Sequence, residues 1–495
     1  MNNSEALGCE GLTFRYLEQN KKNVLQDVSV SFPRGQITVL MGRSGCGKST
    51  LAALLAGLYP ENGGILVSGS IRLFGKKLSD FSIPERAQKL SMMFQNADLQ
   101  FCMETLREEM LFCLENISCP QEEMDRKVRL AADKTGMTDL LDRKFATLSG
   151  GEKQKAALAC IFLLQKGDGV ILLDEPFANI DAYWAERIAA DLKAMNQEHG
   201  MTIIAVDHSL DHWLERADLL IVMDGESHVL DPIPMAEVRG RDQLFHREGL
   251  RWPYEQVHRH REILTASETK ETGAKAQPSV RLRDVCIYAG RKKFRDEPRK
   301  VINHSDASFY AGQITALLGP SGAGKTTLFR TLLGKQKQKY TGIIEKREEV
   351  GIVFQNPSNQ FITQNVLQEV ETGILGKYVK AENLSGSETE KRAIDLLKEF
   401  HLGRYRRYSP YMLSQGEQRR LAVLAVLAGK RRILLLDEPT YGQDDAMTGE
   451  IMAMLVAKMR EENLTIVIST HDARLVEEWA DSVYEIRGGK LIWRS

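Results

Sequence analysis

The sequence predicts an α/β fold made twice over, and three observations carry that expectation. The first is Gly42-Arg43-Ser44-Gly45-Cys46-Gly47-Lys48-Ser49-Thr50, which fits the pattern G-x-x-x-x-G-K-[ST]. The second is its context: residues 36–41 are apolar enough for a buried strand, and residues 51–57 read as a helix. The third is repetition. Gly319-Pro320-Ser321-Gly322-Ala323-Gly324-Lys325-Thr326-Thr327 fits the same pattern, with an apolar run at 314–318 and a helical run behind it. One accidental match in a chain this long has odds of roughly a few per cent, so two with matching flanks are not accidents. Such a loop ends on a helix N-terminus, where free backbone N–H groups and the positive end of the helix dipole face phosphates. Lys48 and Lys325 are then placed for the β- and γ-phosphates, and the Ser49 and Thr326 hydroxyls for Mg²⁺.

A chain of 495 residues accommodates two large domains or three smaller ones, and the repeat selects two. The expected division is a first domain over 1–235, a linker over 236–279 and a second domain over 280–495. The formal net charge of -1 gives no bulk attraction for nucleic acid, so no nucleic-acid partner is expected. No run approaches the apolar length of a membrane span, and Met1-Asn2-Asn3-Ser4-Glu5 lacks the basic-then-apolar pattern of a signal peptide. Any membrane link is therefore expected to come through a partner. Seven cysteines, an odd number at irregular spacing, suggest neither a disulfide framework nor a metal site and fit a reducing cytosol. Cys46, inside the first loop, reads as a small filler.

Taken in order, residues 12–35 alternate apolar and polar and read as hairpin strands. Tyr16, just before the first turn, suits stacking on an adenine ring or a plain edge-strand place. Residues 71–75 give a short strand, and 90–94 a strand ending at Gln95-Asn96. Residues 98–147 carry apolar side chains at helical spacing. They end at Leu148-Ser149-Gly150-Gly151-Glu152, where a serine and two glycines ahead of a helix make a second anion-binding N-terminus. Residues 170–173 form a buried strand that delivers Asp174 and Glu175 at its C-terminal end, where open α/β sheets bind ligands. Two adjacent buried acids repel, so a cation belongs between them. Mg²⁺ under Asp174 is the economical choice, leaving Glu175 to accept a proton from water. Asp181 follows, and a last strand at 201–206 ends at Asp207-His208.

The second half repeats the order with Gln355, Leu413-Ser414-Gln415-Gly416-Glu417, Asp437-Glu438, Asp444 and His471. Asp174 to His208 and Asp437 to His471 both span 34 positions, whereas loop lysine to glutamine spans 47 in one half and 30 in the other. The second half is thus expected to lack the strand pair around Ile71. Tyr288 is its nearest aromatic, but it falls one position off Tyr16 and would face the other way. Residues 266–278 read as a polar, flexible linker, and His258 and His260 as solvated linker residues.

In this order, the phosphate loop, Gln95, the signature from Leu148 to Glu152, the Asp174-Glu175 strand, Asp181 and His208 resemble the nucleotide-binding domains of ABC transporters. The resemblance implies two P-loop NTPase domains, each a RecA-like α/β core with an antiparallel β-subdomain and a helical subdomain. It implies ATP and Mg²⁺ as cofactors, with ATP held between the loop of one domain and the signature of another. By the same resemblance, Ser49, Gln95 and Asp174 hold the metal in one site, and Thr326, Gln355 and Asp437 in the other. Glu175 and Glu438 are the general bases, and His208 and His471 brace the γ-phosphate. Asp181 and Asp444 communicate across the domain interface, and Tyr16 stacks the adenine. Ser414 and Gly416 would cap the site of Lys48, and Ser149 and Gly151 that of Lys325. Gln415, standing where the first half has Gly150, would make the two working sites unequal.

Gln95-Asn96-Ala97-Asp98-Leu99-Gln100-Phe101 matches Gln355-Asn356-Pro357-Ser358-Asn359-Gln360-Phe361, with Glu109 and Glu369 at equal distances beyond. This segment is similar to the ATPases of energy-coupling-factor importers, which take up vitamins and metal ions in prokaryotes. The resemblance implies a peripheral protein at the cytoplasmic face of the membrane, docked on a transmembrane T component that holds a substrate-binding S component. Read without the resemblance, the same residues could merely cap a helix. A soluble tandem ATPase acting on the ribosome would need a long charged arm between the halves, which the linker lacks. A fused sugar-importer ATPase usually has a damaged second loop, and Gly324-Lys325-Thr326 is intact.

Overall fold

The computed structural model describes the chain except residues 1–4, 18–22, 61–62, 165–166, 178–179, 255–276, 290–298, 321, 335–338, 379–383, 441–444, 471 and 495, and the side chains of Ala182 and Gln415. Most of the 266–278 stretch, with His258 and His260, therefore lies outside the described residues. The chain divides into two compact units, Met1–Glu255 and Gln256–Ser495.

In the first unit, six strands run in the order Ile233–Pro234, Leu219–Met223, Ile37–Gly42, Thr202–Val206, Val170–Asp174, Leu90–Met93. All neighbours pair parallel except Ile233–Pro234, which is antiparallel to Leu219–Met223. These strands are apolar on both faces because both faces are covered. Val39, Met41, Ile171, Leu173 and Ile203 enter one core, which includes Ile188 and Leu192 of the helix Ala182–His199. Their neighbours Leu40, Leu172 and Ile204 enter another, with Leu51, Leu54 and Leu55 of the loop helix Lys48–Leu55. That second core is closed by a four-stranded antiparallel sheet in the order Leu25–Pro33, Glu5–Tyr16, Gly64–Leu73, Lys76–Lys77, which contributes Leu7, Phe14 and Phe32. A helical subdomain packs Leu106–Asn116, Gln121–Lys134 and Gly150–Leu164 around Met110, Val128 and Ala156.

The second unit repeats this plan. Its strand order is Val350–Val353, Ile433–Asp437, Thr465–Ser469, Gln313–Leu318, Ser482–Arg487, Lys490–Arg494. Among the described residues its antiparallel sheet has three strands, in the order Arg299–Phe309, Val280–Ala289, Tyr340–Lys346. Its counterpart of the helical subdomain packs Val366–Leu375, Glu388–Glu399 and Gln415–Leu427. Two expectations are corrected here. The strand at 202–206 is not the last, since Leu219–Met223 follows and pairs beside the loop strand. The second unit also keeps a partner equivalent to Gly64–Leu73, in Tyr340–Lys346. Its shorter spacing comes instead from lacking the strand Lys76–Lys77 and the short helix Ile83–Ala87 that precede Leu90–Met93 in the first unit.

Candidate active sites

Each phosphate loop leaves its strand and turns into its helix through glycines in the left-handed region. Gly45 and Gly47 have φ of 82° and 105°, and Gly322 and Gly324 have 77° and 105°. Only glycine takes such angles cheaply. Gly47 and Gly324 are the N-cap residues of Lys48–Leu55 and Lys325–Leu333. Lys48 Nζ donates to the carbonyls of Gly42 (2.7 Å) and Arg43 (2.9 Å), so the loop is drawn around its own ammonium group. Lys325 Nζ does the same to Gly319 (2.6 Å) and Pro320 (3.3 Å). Ser44 and Ser49 are exposed in the first loop, and Thr326 is half-buried in the second. Cys46 is buried, as a filler should be, with its Sγ 3.9 Å from Lys48 Nζ.

The strand Val170–Asp174 carries Asp174 and Glu175 to the same edge. Asp174 is buried, and burial, then the adjacent Glu175 charge, push its carboxyl up to about 7. Its Oδ1 has no hydrogen-bond partner, while the Ser49 hydroxyl bonds the carboxylate. Asp437 is likewise raised by burial, although Thr326 Oγ1 donates to it at 2.6 Å and Ser469 Oγ bonds its other oxygen. In the first site, a hydroxyl beside a carboxylate with one unpartnered buried oxygen makes a fitting donor set for a hard, oxygen-seeking divalent cation. Among the described residues no three His, Cys, Asp or Glu cluster as a metal site, so such an ion would draw other oxygens from its ligand or water.

Glu175 is where the first site converges. Its Oε1 accepts from Gln95 Nε2 at 2.6 Å and lies 2.9 Å from His208 Nε2. Burial would raise this carboxyl, but the His208 ring and the Gln95 amide outweigh it and hold it below the usual range. The backbone helps aim it: Glu175 and Glu438 sit at φ of 50° and 54°, each donating its N–H across to the neighbouring strand, at Val206 and Ser469. Gln95, Asp174, Glu175 and His208, anticipated from sequence as one site, are thus brought together. In the second unit His471, Asp444 and Ser321 lie outside the described residues.

Both signatures form reciprocal caps. Ser149 N donates to Glu152 Oε2 (2.6 Å) and Glu152 N to Ser149 Oγ (3.3 Å). Ser414 and Glu417 repeat this at 2.9 and 3.3 Å. Gly150 opens the helix, Gly151 is buried in its first turn, and Gln415 opens the matching helix. Asp181 caps its helix by accepting from Trp184 N at 3.2 Å. Tyr16 Oη lies 2.8 Å from Thr50 Oγ1, and its ring meets Phe14 and Tyr59 edge-on at 5.1 and 5.5 Å. Gly11 and Asp284, both at positive φ, mark corresponding bulges. Counting from them, Tyr288 matches Arg15 and Ala289 matches Tyr16. The second unit has no aromatic at that place.

Sequence reasoning missed several contacts. Gln154 Nε2 donates to the Glu175 carbonyl (3.0 Å), and Arg419, at the same place after its signature, donates to those of Phe354 (3.1 Å) and Asp437 (3.3 Å). Buried polar residues early in an apolar helix were the available signal. Asp207 braces the His208 turn, accepting from His208 N (2.7 Å) and Trp213 Nε1 (2.9 Å). In the segment after each glutamine, Asn96 and Asn356 cap short 3-10 turns. Buried Glu109 accepts from Cys102 N and Met103 N, both at 2.8 Å, and buried Glu369 from Ile362 N and Thr363 N at 3.2 and 3.1 Å. The polar residues organise the loop, and Leu99 and Ile362 are left 76% and 66% exposed at its surface.

Comparison with known proteins agrees with this geometry. The ABC transporter family model matches residues 25–178 and again 302–441. A Bacillus subtilis (strain 168) protein provisionally named an HMP/thiamine import ATP-binding protein is 34% identical, over 97% of this chain and 89% of its own. A Methanosarcina acetivorans protein provisionally named an ABC transporter ATP-binding protein is 31% identical, over 99% and 85%. Among solved structures, an archaeal ribosome recycling factor crystallised with a ribosomal stalk protein has the same fold at a TM-score of 0.60, with 19% identity over 97% of this chain and 89% of its own. Two family matches in one chain, each spanning a phosphate loop and an Asp-Glu strand, place this protein in the ABC transporter family as a tandem ATPase.

Proposed function

We propose that this chain is the ATP-hydrolysing subunit of a membrane importer of the energy-coupling-factor type, taking up a vitamin or a metal ion. The observation that carries the reading is an exposed apolar side chain in the segment after each glutamine, Leu99 in one unit and Ile362 in the other, in loops that a buried glutamate one turn into the following helix ties down at 102–103 and 362–363. Exposed apolar side chains on a rigid support suit a docked partner. They adjoin Gln95 and Gln355, so a partner seated there would feel the state of each site. The partner is a transmembrane T component with its S component, at the cytoplasmic face. Among the described residues no helix of this chain is long and apolar enough to cross a membrane. The Bacillus subtilis relative, named for import, supports this direction; the likeness to the ribosome recycling factor is one of fold alone.

In the proposed mechanism Lys48 and the loop N–H groups hold the phosphates of ATP, and Ser49, Gln95 and Asp174 hold Mg²⁺, which supplies charge neutralisation when bound. Glu175, kept ionised by His208 and Gln95, accepts a proton from the attacking water. His208 then lies beside both Glu175 and the γ-phosphate. Lys325, Thr326, Gln355, Asp437, Glu438 and His471 do the same in the second site. Each is completed by signature donors from a second domain, of this chain or of another copy. The test is affinity capture of the tagged full chain from detergent-solubilised membranes. Recovery of a polytopic membrane protein, lost in Leu99→Glu/Ile362→Glu with ATP binding retained, is expected. Capture of ribosomes alone would overturn the importer reading.

A further inference from the structure

The first loop carries Arg43 where the second carries Pro320. Arg43 Nε donates to the Glu248 carbonyl at 2.8 Å, and Nη2 donates to the Arg247 carbonyl at 2.6 Å. These carbonyls end the short helix Asp242–Arg247. The preceding ones are used by the chain itself: Glu248 N bonds Leu244 O, Leu250 N bonds Phe245 O, and Gly249 N bonds His246 O. Arg43 therefore takes the two C-terminal carbonyls that the chain leaves over, where a cation is favoured. The segment it grips is anchored. Phe245, Leu250 and Trp252 are buried in the core that covers one face of the central sheet. Arg251 reaches Asp211 at 3.4 Å, in the turn that follows His208. At its other end, the Arg43 carbonyl accepts from Lys48 Nζ and from Cys46 N. One stretch of chain, 242–252, thus touches both the phosphate loop and the histidine turn of the first unit. The second unit instead closes with the strand Lys490–Arg494.

We propose that Arg43 is a positioning residue and that 242–252 is a brace for the first phosphate loop, so that nucleotide at this loop and the packing of the Phe245–Trp252 segment are coupled. The inference rests on the first loop being a nucleotide site. It makes the two sites unequal in a second way, independent of Gln415.

The test uses the full chain carrying Lys325→Ala, which silences the second loop, with Mg-ATP titration and hydrogen exchange of 242–252 with and without nucleotide. The parent is expected to bind ATP and to gain protection over 242–252. Arg43→Ala is expected to weaken ATP binding about three- to tenfold, comparable to the net worth of one ordinary hydrogen bond because Arg43 acts on nucleotide only through the loop, and to abolish the nucleotide-dependent change in protection. Arg43→Lys should recover part of both. Nucleotide binding by the parent with an unchanged affinity and protection response in Arg43→Ala overturns the brace. Failure of the parent and the native chain to bind ATP overturns the underlying site instead. A variant that is merely less stable would lower protection everywhere while keeping the nucleotide response, which also counts against the proposal.

Discussion

His208 Nε2 stands 2.9 Å from Glu175 Oε1, the same oxygen that Gln95 Nε2 reaches at 2.6 Å. One carboxylate oxygen is thus held by a ring and an amide, leaving the other oxygen for a water. Glu175→Gln should keep ATP binding and lower turnover by roughly 10²- to 10⁴-fold, the span of a lost general base. Glu438→Gln, measured by phosphate release alongside it, should show the same sign with a different size. Full turnover in either variant would remove that site from the catalytic account.

Asp174 should make the metal-free protein sensitive to pH. Burial, then the Glu175 charge, push its folded carboxyl up from the ordinary 3.8 to about 7. A raised acid binds its proton more tightly folded than unfolded. The charge therefore destabilises the fold increasingly from about pH 4 to 7, and fully above 7. Asp174→Asn removes that penalty, so it should raise the unfolding free energy more at pH 8 than at pH 5, by on the order of a few kcal/mol at the upper end. Equal shifts at both values, in chelator, would contradict the assignment of the buried charge.

Tyr16 joins the strand Glu5–Tyr16 to the loop helix through Thr50. Burial pushes its phenol up to about 12, so the hydroxyl remains protonated at any working pH. Tyr16→Phe should cost about 1 kcal/mol or less, the value of one hydrogen bond. Tyr16→Ala also strips the contacts with Phe14 and Tyr59, and should cost about 1–3 kcal/mol and weaken ATP binding at the first site. Denaturant titration and nucleotide binding of the two variants separate the ring from the hydroxyl.

Cys46 should react slowly with thiol reagents although it lies in a phosphate loop. It is buried, and burial raises its thiol despite the nearby Lys48 ammonium. Cys102 is exposed. A limiting charge of a disulfide reagent should label Cys102 first and leave ATPase activity intact, whereas labelling of Cys46 should abolish nucleotide binding at the first loop. Peptide mapping against residual activity decides it.

Much of this was legible in the sequence because the chemistry is local. The loops, the signatures and the Asp-Glu strands are each under ten residues long, and their glycines and paired acids have few other uses. Tyr288 was correctly read as out of place because a strand has a period of two. What the sequence hid is distant or generic. The grip of Arg43 on Arg247 and Glu248 spans more than 200 positions, and no local pattern announces it. Tyr340–Lys346 was missed because an edge strand exposed along most of its length lacks the alternation that marks a half-buried one. Leu219–Met223 was missed because a short apolar run after the last motif looks like any other core segment.

The left-handed turn at Glu175 and Glu438 narrows what either position will accept. A residue branched at Cβ would clash at either place whatever its acidity, and at 175 aspartate, though it tolerates the torsion better, is one methylene too short to reach Gln95 and His208 from the same kink. Glycine would relax the main chain and leave nothing to take a proton. Drift at these two codons is therefore confined from two directions at once, by stereochemistry and by reach, and the glutamine swap is the substitution that leaves both intact while silencing the acid.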